Sequence, residues 1–91
     1  MAIKMDYGAL TSSASTLANR AAEMSALASG IQADVNNALG AWEGASRDRF
    51  ASDFESVYPT LSQKVPELLQ LLSENMKTMA ENIYQADQAN A

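Results

Sequence analysis

The chain has 91 residues, no cysteine, no histidine, and a net charge of −5 from eleven acidic and six basic side chains. Disulfides and thiolate metal sites are therefore excluded, the usual general base is missing, and the acidic balance disfavours nucleic acid and anionic lipid alike. No phosphate loop, convergent carboxylate pair or metal-ligand cluster is visible, so the chain reads as a single domain without catalysis, cofactor or metal.

The N-terminus, MAIKMDYGAL, has no continuous apolar run of signal-peptide length and meets Asp6 early, so no cleaved leader is expected. No run is apolar enough for stable membrane insertion. Asp6 suits a helix N-cap, its carboxylate accepting from free N–H groups of the first turn. Ile3, Tyr7, Leu10, Ala14, Leu17, Ala21, Met24, Ala28, Ile31, Val35, Ala38 and Trp42 then recur at alternating steps of four and three. That is the seam of a helix lying along a partner helix, expected over about 6–40. One column of the seam is large (Leu10, Leu17, Met24, Ile31) and the other small (Ala14, Ala21, Ala28). Small residues there let two backbones approach closely.

The segment GAWEGAS follows, with a turn expected at 41–45. Gly40 and Gly44 bracket Trp42, the only tryptophan, and glycine commonly ends a helix or turns a chain. Trp42 continues the seam and can plug the bundle end. Gly44 is expected to supply a backbone conformation or a close approach that a side chain would block. Ser46 and Asp48 suit the start of a second helix as cap and dipole partner. Arg47 and Arg49, with Asp48 and Asp53, read as a solvated face.

The second helix is expected over about 46–84. Phe50, Phe54, Val57, Leu61, Val65, Leu68, Leu72, Met76, Met79, Ile83 and Ala86 recur at an average step of 3.6, a straight apolar stripe. Ala51, Tyr58, Leu69 and Ala80 widen it on one flank. Pro59 and Pro66 are seven apart and both fall opposite the stripe centre, where water can satisfy the carbonyls they free. The favoured reading is a bent, continuous helix; the alternative is a break near Tyr58. Residues 85–91 lack apolar periodicity and read as a tail, either frayed or kept accessible as a signal.

Two helices joined by a short turn must lie antiparallel to bury their stripes. The expected fold is all-α, an antiparallel two-helix hairpin. Its core and association residues would include Leu10, Leu17, Ala21, Met24, Ala28, Ile31, Phe50, Phe54, Leu61, Leu68, Leu72 and Met79. A lone hairpin leaves the wider stripe wet, so dimerisation into a four-helix bundle is expected. Periodicity does not decide between a second copy and a related chain.

Trp42-Glu43-Gly44 at the midpoint, with Phe50 eight positions after the Trp, in a cysteine-free chain of this length, resembles the WXG family of early-secreted-antigen-like proteins. The resemblance covers essentially the whole chain. It implies a dimeric helical hairpin secreted without a cleaved leader by a bacterial type VII (ESX) system. Recognition by the secretion machinery, including its motor ATPase, would involve the Trp42–Gly44 turn and a C-terminal signal. Many members carry a Tyr with an acidic residue four positions later; here Tyr84 is followed by Gln88 at that spacing, with Asp87 one residue early. Tyr84 and Asp87 are the candidate C-terminal signal. Competing roles are an escort for a larger helical-hairpin toxin and an intracellular coiled-coil adaptor.

Overall fold

The computed structural model describes residues 6–89. Ile3, expected at the head of the seam, lies outside them. The architecture is the expected helical hairpin, 70 Å long and 17 by 15 Å across. Helix α1 spans Tyr7–Gly40 and is followed, after a four-residue turn, by α2 (Ala45–Pro59), a single wide π turn (Thr60–Lys64) and α3 (Val65–Ala89). Asp6 caps α1 as its position predicts, its side chain accepting from the Ala9 N–H at 3.0 Å.

The centre of the interface is made of small residues. Ala14, Ala21 and Ala28 on α1 are fully or almost fully buried, as are Ser73 and Ala80 on α3. Pro66 is buried in the same row, so Pro66, Ser73 and Ala80, seven apart, run antiparallel to Ala14, Ala21 and Ala28. Two small rows face to face bring the backbones close enough for the Ser73 hydroxyl to donate to the Ala14 carbonyl at 2.6 Å. The bond crosses the hairpin and satisfies the one polar side chain in that buried row.

The large apolar residues are not enclosed. Leu10, Leu17, Met24 and Ile31 are half-buried, while Phe50, Val57, Leu68, Leu71, Leu72 and Met79 are 43–65% exposed. Three expectations are thereby corrected. Pro66 is not on the wet face; it packs beside Ala21, Ala22 and Ser25. Leu69 and Ala80 do not widen a stripe but lie at or beside the seam, whereas Leu68, Leu72 and Met79 fall on its exposed flank. Between the two prolines the helix neither simply bends nor breaks: the Val65 N–H donates to the Thr60 carbonyl, five residues back, closing one wide turn.

The cause is proline chemistry. Pro66 has no N–H, and its ring would crowd the carbonyl four residues earlier in an ideal helix. Widening the preceding turn gives that ring room. Pro59 ends α2 and stays exposed. At the far end, α3 continues through Ala89, so residues 85–89, expected as tail, are helical.

Candidate recognition turn and association face

Helix α1 ends without a left-handed residue. Ala41 has φ −99° and ψ 8°, and its N–H and that of Trp42 donate to the Ala38 and Leu39 carbonyls at 3.1 and 3.2 Å. The last turn of α1 contains no basic residue, but the next helix supplies one. Arg47 donates from Nε to the Leu39 carbonyl at 3.1 Å and from its guanidinium to Asp48 at 3.3 Å. A cation on a helix C-terminus and a donor for an under-satisfied carbonyl both stabilise that end. Arg47 is therefore a clasp across the turn, not the solvated residue its charge pattern suggested.

Gly44 is the N-cap of α2, with φ +113° and ψ 179°. That region is essentially closed to residues with a Cβ. A Cβ built there would meet nothing within 4 Å, so glycine is required by backbone conformation and not by close approach. Ser46 lies inside the helix instead of capping it, while Asp48 occupies the first turn as expected. Trp42 lies beyond the helix end, 38% exposed. Its ring is 5.8 Å from that of Phe50 at an interplanar angle of 41°. The Trp is held at the hairpin tip by one aromatic neighbour and still presents a face to solvent.

At the opposite end, the Tyr7 ring lies 4.6 Å from that of Tyr84, and the Tyr7 hydroxyl donates to Glu81 at 2.5 Å. Gln85 donates to the other Glu81 oxygen at 2.8 Å. The bond to Glu81 holds the Tyr7 phenol above its ordinary pKa, with desolvation and then the nearby carboxylate adding to it. The same bond, then that from Gln85, holds the Glu81 carboxyl below its ordinary value. Tyr84 remains 39% exposed and Asp87 is exposed.

Of the exposed large residues of α3, Leu72 and Met79 share one side, while Leu71 borders a groove on the other. Leu10 of α1 and Leu72, Met76, Met79 and Ile83 of α3 line a single groove that has no ionisable side chain. The opposite side carries charge, with one groove bordered by Glu67 and Glu74 and another by Glu81 with Lys77. Of the residues expected to form the core, Ala21 and Ala28 are buried in the hairpin, and Leu10, Leu17, Met24, Ile31, Phe54 and Leu61 are half-buried. Phe50, Leu68, Leu72 and Met79 stand on the exposed flank. Sequence reasoning missed Ser73, whose seven-residue spacing from Pro66 and Ala80 was the available signal. Among the described residues no group of acidic side chains is arranged to hold a metal, and no helix is long and apolar enough to cross a membrane.

These features define an antiparallel helical hairpin with a glycine-dependent Trp turn at one end and an unpartnered apolar side. The family model for proteins of 100 residues with WXG, the WXG100 family, matches residues 2–88, and the chain belongs to that family. No curated protein and no solved structure shows significant similarity to it.

Proposed function

We propose that the chain is a non-enzymatic substrate of a bacterial type VII (ESX) secretion system, secreted as a homodimer and acting through protein–protein contacts. The WXG100 family membership carries this reading. The structure adds physical support for a partner. The hairpin encloses no large apolar side chain among its described residues, and a fold with so small a core depends on association. A second hairpin on the apolar side would complete a four-helix bundle.

Trp42 and Gly44 are the proposed export turn, with Tyr84 and Asp87 as the candidate C-terminal signal. In one chain these elements lie at opposite ends of a molecule 70 Å long. In an antiparallel dimer one subunit's turn would lie next to the other's C-terminal helix, so a composite signal would form on assembly. The motor ATPase is its proposed reader. The half-exposed Trp42 ring is available for that contact.

The test is Trp42→Ala in secreting cells, with the purified variant examined in parallel. We expect helicity and association state to stay close to wild type and export to fall at least about tenfold, a loss on the order of 1.4 kcal/mol of recognition energy. Wild-type export of a folded variant would remove Trp42 from the recognition surface.

A further inference from the structure

We infer that the π turn at Thr60–Lys64 is a one-residue register shift that turns the large apolar stripe of α3 outward, onto a second copy of the chain. The inference rests on the proposed self-association and specifies how the sequence creates the surface for it.

Residue spacing sets the register. Phe54 on α2 is half-buried toward α1, and Ser73 on α3 is buried against it. They are 19 positions apart, one more than the roughly 18 residues in five α-helical turns. A straight helix would therefore place Leu72 in line with Phe54, and Ser73 about 100° away. Leu61, Val65 and Met79 would follow Leu72 into the seam. These side chains would stand against Ala14, Ala21 and Ala28, and little of the stripe would remain outside. The wide turn absorbs the extra residue and brings in Pro66, Ser73 and Ala80 instead. The prolines report the same rotation independently. Seven residues apart, they would share a face of a straight helix, yet Pro59 is exposed and Pro66 is buried.

Charge and size favour a second copy as the occupant. The groove between Leu10 and Leu72 has no ionisable lining residue, so covering it with the apolar side of a second copy buries no charge there. It also leaves the charge-lined grooves of both copies facing outward. One side of the hairpin measures 70 by 17 Å, about 1,200 Å² in projection, against the roughly 800 Å² per partner of a stable interface.

Cysteine pairs introduced into the full chain test the register. The Ala14→Cys/Ser73→Cys pair should oxidise to an intrachain disulfide at least about tenfold faster than Ala14→Cys/Leu72→Cys, because disulfide geometry tolerates little displacement. Faster closure of the Leu72 pair would overturn the register shift. A second variant lacks the exposed Gln63 and carries Pro66→Ala, since the ring would crowd a normal turn. Removal of one residue should convert the wide turn to a normal one and leave Ser73 facing Ala14. We expect this variant to stay dimeric by light scattering, as Pro66→Ala alone does. If Pro66→Ala alone is dimeric and the deletion variant is monomeric, the inference fails. A monomeric wild-type chain would instead overturn the self-association reading, whatever the disulfide result.

Discussion

Replacing Gly44 by Ala isolates the demand that the turn makes on the backbone. The residue sits at φ +113° and ψ 179°, a region that costs residues with a Cβ on the order of 1–3 kcal/mol. Contacts add nothing to this cost, because an added Cβ finds no atom within 4 Å. For a domain of this size each kcal/mol moves the melting temperature by about 4–8 °C. Gly44→Ala should therefore lower it by about 4–24 °C, measured by circular dichroism at fixed protein concentration so that association does not confound the comparison. Two controls sharpen the result. Gly40 is helical and its added Cβ would also meet open space, so Gly40→Ala should stabilise by about 0.5–1 kcal/mol. A synthetic chain with D-alanine in place of Gly44 should match wild type, because a D-residue occupies the mirror-image region comfortably. Equal melting of the Gly44→Ala and wild-type chains would refute the conformational account of the Trp-x-Gly turn.

Other perturbations test the seam, the clasp and the terminal cluster. Ala21→Leu adds bulk to a position that is 2% exposed and faces Pro66, and should destabilise by about 1–3 kcal/mol in urea unfolding. Unchanged stability would show that the seam is loose. Arg47→Gln removes the guanidinium contact with the Leu39 carbonyl and should cost about 1 kcal/mol by the same assay. Tyr7→Phe removes the bond to Glu81 and with it two pH dependences of opposite sign. The lowered Glu81 pKa gives stability that is present above the ordinary carboxylate range and lost as pH falls through the lowered value. The raised Tyr7 pKa gives stability that is present below the ordinary phenol range and lost as pH rises through the raised value. The melting difference between wild type and Tyr7→Phe should thus be largest near neutral pH and shrink toward both extremes. A pH-independent difference would contradict this.

Much of the architecture was legible because local signals agreed. The four–three spacing from Tyr7 to Ala38 is a helical seam, Asp6 is a cap, and a glycine pair around Trp42 marks a reversal. The second helix misled for a physical reason. Periodicity assumes a constant turn, and one wide turn rotates everything after it by about 100°. The stripe through Leu68, Leu72 and Met79 is real but belongs to the outside of the hairpin, while the seam runs through Pro66, Ser73 and Ala80. A proline and a serine do not look like core, yet their spacing of seven matches the alanine row opposite. Arg47 was obscured by neighbouring charges, since its partner is a backbone carbonyl that no side-chain pattern reveals. At the candidate site, Trp42 and Gly44 were identifiable from sequence, but the choice between conformation and close approach at Gly44 required its dihedral angles.

Export by a type VII system is the proposed role of this hairpin. The most direct test is the partition of the chain between culture medium and cells in the bacterium that carries it, compared with a strain lacking the type VII motor ATPase. A cytosolic marker controls for lysis. The chain should accumulate in the medium of the parent strain and stay in the cells of the motor-deficient strain. Equal amounts in the two media, or retention in both strains while the protein is expressed, would contradict it.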